Sequence, residues 1–292
     1  MKRLLVFFLM MSAVATGLWW LYHKPAVIPQ KPQGHARSKI LHPESQRFTG
    51  KETHPGESLS QLEPSISHRK IAIIIDDIGN VSLPVEELIK IDAPLTFSIL
   101  PHCPYSISSA EDIHRAKREI LLHLPMEPLS YPRANPGKGA LLVRMDSEEL
   151  LRQLDGDIDA VPYVSGVNNH MGSRFMADEK GLTVIMREMR KRNLFFVDSR
   201  TTSDTKGEKV ASITGLPCLS RNVFIDNVQD YEATLKILLN LSSGGEKKPL
   251  IVIGHPYGTT IKALREAVPL LKQRGVEIVP VSHLLSRGPG TS

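Results

Sequence analysis

Cysteine is nearly absent from this sequence. Cys103 and Cys218 are the only two in 292 residues, too few for the disulfide framework of a small secreted module. Neither belongs to a Cys-x-x-Cys pair or has a histidine beside it at ligand spacing, which argues against a cysteine metal site and for packing. One disulfide and two separately buried thiols both fit. A basic excess is also missing where nucleic-acid binding would need it. The formal charge is +5, but residues 1–68 hold 8 Lys/Arg against 4 Asp/Glu, which leaves 28 against 27 for residues 69–292. A folded part so nearly neutral predicts no nucleic-acid partner. Residues 24–68 lack apolar material in turn. They contain six prolines and one aromatic, Phe48, and cannot bury enough surface to fold, so they read as a Pro-rich disordered linker.

What is present begins at the N-terminus. Lys2 and Arg3 precede an uncharged apolar run over residues 4–22, the pattern of an export segment. Ala13-Val14-Ala15 offers small residues to a signal peptidase, whereas Trp19 and Trp20 extend the run toward spanning length. A cleaved signal and a membrane tether through residues 4–22 both fit. Either places the rest of the chain outside the cytoplasm: in the periplasm, secreted, or anchored to the inner membrane.

From residue 69 onward, short β-branched runs alternate with segments of helical period. Strands are predicted at 71–75, 95–99, 120–123, 163–167, 194–197, 222–225, 250–253 and 276–279. Between them, Asp146 and Glu149 form a capping box, Leu182, Ile185, Met186 and Met189 form an apolar stripe, and Gly275 follows a helix end at Lys272-Gln273-Arg274. Pro269 interrupts the last helical pattern, and 129–145 and 201–216 read as long connections. Strands apolar on both faces and separated by helices imply a parallel sheet covered on both sides. The fold class is therefore α/β, a deformed (β/α) barrel of about seven parallel strands over residues 69–286. In such barrels the loops after the C-terminal strand ends build the site.

Five polar blocks fall at those ends: Asp76-Asp77-Ile78-Gly79, His123-Leu124-Pro125-Met126-Glu127-Pro128, Asn168-Asn169-His170-Met171-Gly172-Ser173, Asp198-Ser199-Arg200-Thr201 and Gly254-His255-Pro256. Adjacent carboxylates at the end of a buried strand repel and lose solvation, so they need a cation, an arginine or a shared proton. Singly, each histidine fits a hydrogen-bonded structural role. Their recurrence at one mouth points to a shared divalent-metal site.

In this order the blocks resemble the divergent polysaccharide deacetylases, distant relatives of the carbohydrate esterases with a deformed seven-stranded barrel, over about residues 69–285. The resemblance implies Asp76 as catalytic base, Asp77 and His123 as metal ligands, and His255 as general acid. Four residues after His123, where the broader family has its second histidine, stands Glu127. The usual Arg-x-Pro-Tyr motif is also absent. His170 is therefore expected to complete the ligand set, with Glu127 as the alternative ligand or as an orienting group. Asn169, Asp198 and Arg200 are placed as substrate-facing or supporting residues. Arg200 is either an oxyanion donor or the ion partner of Asp198 or Asp76. The implied function is hydrolysis of N-acetyl groups on envelope polysaccharide or peptidoglycan, with one divalent ion, zinc by its ligand set, and an envelope glycan as partner. A non-catalytic glycan- or protein-binding module on the same barrel and a different metal-dependent C–N hydrolase are the rival readings.

Overall fold

The computed structural model describes residues 69–243 and 248–285. The expected export segment and linker lie outside these residues. Among the described residues no helix is long and apolar enough to cross a membrane.

The elements run in the order β1 (Lys70–Ile78), α1 (Leu83–Ile89), β2 (Thr96–Ile99), α2 (Ser106–Arg115), β3 (Glu119–Met126), α3 (Ser147–Asp159), β4 (Gly166–Met171), α4 (Glu179–Lys191), β5 (Phe195–Asp198), α5 (Gly207–Thr214), β6 (Cys218–Ser220), β7 (Val223–Phe224), α6 (Tyr231–Asn240), β8 (Leu250–Gly254), α7 (Gly258–Gln273) and β9 (Glu277–Ile278). All strand pairs are parallel, in the order β6-β5-β4-β3-β2-β1-β8-β7, with β9 on the start of β1. The two edge strands are consecutive in the chain. The segment 218–224 pairs with β5 through its first three residues and with β8 through its last two. Only Arg221 and Asn222 separate the two pairings, so the chain itself joins the ends of the curled sheet. This is the deformed (β/α) barrel expected from the alternation of strands and helices.

Strand alternation divides the apolar residues into two sets. Ala72, Ile74, Leu121, Phe195, Val197, Ile251 and Ile253 fill the interior. Ile71, Ile73, Ile75, Ile120, Leu122, Phe196 and Val252 pack outward, in one cluster with helical residues such as Leu182, Ile185, Met186 and Met189. Each fully buried Ile or Leu contributes about 1.5–3 kcal/mol of transfer free energy, so both faces of every central strand stabilise the barrel. Gly166 sits where Phe195 needs room, since a Cβ there would lie 2.7 Å from the ring. Gly166→Ala should therefore destabilise the domain by about 1–3 kcal/mol through overpacking, read as a lower midpoint in urea with an unchanged m-value.

The capping box at Asp146 and Glu149 and the left-handed Gly275 are present. Several details differ from the sequence expectation, among them the unexpected strand β6 and the extension of β1 to Ile78 and β3 to Met126. Pro269 lies inside α7, because the buried Ala267, Val268 and Leu271 hold both halves of the helix to the barrel. The 201–216 connection contains α5. The fourth strand starts at Gly166 and continues through Met171, because β3 pairs with it as far as Met126↔Met171. Cys103 and Cys218 are free thiols, and burial pushes the Cys218 thiol up to about 12.

Candidate metal centre and acid–base site

Alternation carries the interior face of the barrel into its chemistry. On β1 the inward positions 72 and 74 lead to Asp76, on β3 Leu121 leads to His123, and beyond β8 Ile251 and Ile253 lead to His255. His123 is the register partner of Asn168 across β3 and β4. Asp77 belongs to the opposite parity. It reaches the same mouth because the β1–β2 register shifts between Ile75 and Ile78 and Asp77 takes a left-handed φ of 58°. Such a bulge re-aims a side chain at a local conformational cost.

Asp77, His123 and His170 converge. Asp77 Oδ1 lies 3.1 Å from His123 Nε2 and 3.0 Å from His170 Nδ1, and the two ring nitrogens are 3.1 Å apart. Asp77 Oδ1 is buried, yet no hydrogen bond to it has good geometry. Two imidazole nitrogens and one carboxylate oxygen in a near-equilateral triangle form a ligand set. Donors around a tetrahedral ion with bonds of about 2.0–2.1 Å stand roughly 3.3 Å apart, so these residues fit a divalent ion and leave a fourth position open. Burial opposes ionisation of Asp77, but the two imidazoles outweigh it and hold the carboxyl well below the usual range. Burial also opposes charge on His123, but Asp76 and Asp77 outweigh it and push the imidazole up to about 9.

Asn168 is the hub beneath this triangle. Its Nδ2 donates to Asp76 Oδ1 at 2.8 Å, and its Oδ1 accepts from the Ser98 hydroxyl. That leaves Oδ1 as the acceptor for His123 Nδ1 at 2.8 Å, so the network assigns the His123 proton to Nδ1 and turns Nε2 toward Asp77. Asp76 is 2% exposed. Burial raises its pKa, against the lowering effects of His123 and Asn168. His255 Nδ1 lies 2.9 Å from Asp226 Oδ1, and its Nε2 lies 4.0 Å from Asp77 Oδ2. Burial disfavours the imidazolium, but the Asp226 hydrogen bond and charge win and raise its pKa. Asp226 Oδ2 accepts from His255 N at 2.6 Å and from Thr260 Oγ1 at 2.8 Å, which fixes the carboxylate as well as the ring it orients.

Four further residues named from the sequence surround this centre without joining the triangle. Glu127 is not placed as a ligand, since Oε1 meets Arg174 Nη1 at 3.0 Å and Oε2 accepts from Val143 N at 2.7 Å. It clamps two rim loops. Asn169 accepts from Ser199 N and donates to the Met171 carbonyl. The side chain that reaches the centre is its neighbour Asn168, because one step along a strand changes the face. Asp198 accepts from Arg200 N at 2.7 Å and Thr205 Oγ1 at 2.6 Å, so its Arg200 partner is the backbone amide and not the guanidinium. Arg200 itself has an exposed side chain and does not pair with Asp76.

A family model, divergent polysaccharide deacetylase, matches residues 73–285. The chain belongs to the divergent polysaccharide deacetylase family. The uncharacterized protein YibQ of Escherichia coli (strain K12) is 31% identical over 231 residues, covering 78% of this chain and 71% of YibQ. Within solved structures, the uncharacterized protein ATU2773 from Agrobacterium tumefaciens C58 superposes with a TM-score of 0.70 at 25% identity, covering 76% of this chain and 91% of that one. A putative cellobiose-phosphate cleavage protein from Enterococcus faecalis V583 shares the fold, with a TM-score of 0.52 at 15% identity over 75% of this chain and 100% of that one. The divergent deacetylase match runs from within β1 past β9 and includes all five polar blocks.

Proposed function

We propose that this protein is a metal-dependent hydrolase that removes N-acetyl groups from an envelope polysaccharide or peptidoglycan. The observation that carries the reading is a buried carboxylate, Asp76, 3.7 Å from one corner of the Asp-His-His triangle and a carboxylate-oriented imidazole, His255, 4.0 Å from another. A divalent ion held by Asp77, His123 and His170, zinc by the preference of two imidazoles and a carboxylate, supplies Lewis acidity toward the acetyl carbonyl and the attacking water. Asp76 accepts the proton of that water. Its raised pKa brings it closer to neutrality, where a base is most effective. Asn168 keeps Asp76 Oδ1 engaged, leaving Oδ2 on the side of His123 Nε2, 3.7 Å away. Asp226 accepts the Nδ1 proton of His255 and, against the effect of burial, raises the pKa of the ring, so the imidazolium keeps a second proton on Nε2 and delivers that one to the departing amine nitrogen.

The test is acetate release from chitooligosaccharides and peptidoglycan fragments by protein loaded with Zn²⁺, Co²⁺, Mn²⁺ or Ni²⁺, with bound metal measured by elemental analysis. Metal-dependent acetate release is expected. Tight glycan binding without acetate release under every metal would favour a non-catalytic binding module instead. We also propose that the domain works outside the cytoplasm, on the strength of residues 1–23. A reporter fused after residue 68 should be active only in the exported compartment, and cytoplasmic activity would contradict the proposal.

A further inference from the structure

The junction at which the chain passes from β5 to β8 carries charge that the acid–base chemistry does not use. Arg221 sits there as the first residue between the two pairings. Its Nε donates to the Ser199 carbonyl at 2.7 Å and its Nη2 to the Arg200 carbonyl at 3.1 Å. Its Cζ lies 3.9 Å from the centroid of Phe224, and the Phe224 ring stacks on His255 at 5.9 Å. One aromatic ring thus separates a fixed guanidinium from the imidazole at the mouth.

Arg221 has five N–H donors, of which these bonds engage two. Among the described residues no carboxylate stands within ion-pair distance of Arg221 or Arg200. The two nearest in electrostatic terms are already engaged, Asp198 by Arg200 N and Thr205 and Asp76 by Asn168. Burial and then the charge of Arg200 act against the charge of Arg221. Two cations that feel each other's charge, one held by two carbonyls and one exposed, without a carboxylate partner among the described residues, leave positive charge that an anion would balance. A guanidinium fork can hold the two oxygens of a carboxylate bidentately.

We propose that Arg200 and Arg221 form an anion subsite beside His255, so that the glycan taken by this site carries a carboxylate on or next to the N-acetylated sugar. The proposal rests on the glycan reading above and narrows its substrate class. Arg221 supplies a preorganised fork. Arg200 closes over the anion from the exposed side.

The experiment measures binding by calorimetry to Zn²⁺-loaded Asp76→Asn protein, which removes the proposed base. The probes are an N-acetylated disaccharide bearing one carboxylate and the same disaccharide with that carboxylate converted to a primary amide. The acid should bind about 10- to 100-fold more tightly than the amide, the range expected for charge-assisted hydrogen bonds. That ratio should fall toward one in Arg200→Gln and in Arg221→Lys, and should shrink as salt rises from about 0.05 to about 0.5 M. Equal binding of acid and amide would overturn the subsite while leaving the glycan reading intact, and a preference that survives Arg200→Gln would overturn it as well. Tighter binding of a phosphorylated analogue than of the carboxylate would overturn the assignment to a carboxylate. If neither disaccharide binds, the glycan reading fails and the subsite fails with it. Arg200 is exposed, so Arg200→Gln decides the matter even if the pinned Arg221 variant folds poorly.

Discussion

Alanine at Asp77, His123 or His170 is expected to abolish stoichiometric metal binding while the domain stays folded. Each substitution removes one corner of the triangle, and two donors do not make a structural or catalytic site for a zinc-type ion. The loss should exceed the roughly 10- to 100-fold typical of removing a residue that only orients a ligand. Asn168→Ala supplies that milder comparison, since it frees the His123 ring and Asp76 but leaves all three donors in place. Elemental analysis after dialysis, with circular dichroism as the check on folding, separates the two classes. Full metal content in all three alanine variants would refute the ligand set. If only His170→Ala kept its metal, another donor would have to be sought beyond these three. Proton competition adds a second readout. His123 holds its proton up to about 9 in the metal-free site, and the ion must displace it. Apparent affinity should therefore tighten by about tenfold per pH unit below that value and level off above it.

Asp76→Asn and His255→Ala are each expected to lower turnover by about 10²- to 10⁴-fold, with a much smaller change in substrate affinity. Neither residue is among the three proposed donors, so metal content should be preserved in both. The pH profile of kcat should require one group deprotonated and another protonated. The rising limb belongs to Asp76, whose pKa burial raises from the ordinary carboxylate value. The falling limb belongs to His255, whose pKa Asp226 raises, so it should lie above the usual histidine value. Asp226→Asn is the sharper test, because it keeps the size and most of the hydrogen bonding of the side chain but removes its charge. It should draw the falling limb toward lower pH and reduce kcat. Unchanged profiles in Asp76→Asn and His255→Ala would eliminate this mechanism.

The sequence by itself determined the barrel, through apolar strands that alternate with helical patterns, and it determined that polar residues gather at one end. It also carried more of the site than a list of blocks reveals. Asp76, His123 and His255 share the parity of the interior apolar residues on or leading into their own strands, so strand alternation alone aims them at one mouth. Tertiary structure decided the remainder. The fourth strand ends at Met171 because its pairing with β3 persists that far, and this register selected Asn168 over Asn169 as the hub. Asp77 joins the opposite-parity Asp76 at the mouth only through the bulge in β1, which no local propensity announces. Asp226 follows its strand as a single acidic residue, and nothing in the sequence marks it until the fold brings it within 2.9 Å of His255. Arg221 gains its place from the passage of one segment between two strands. Glu127 stands four residues beyond His123, yet it turns to Arg174 and Val143 because the rim loops close around it. Spacing along a strand fixes the face of a side chain. Which faces meet, and which charges find partners, is set by long-range register and by the chain crossing from β5 to β8.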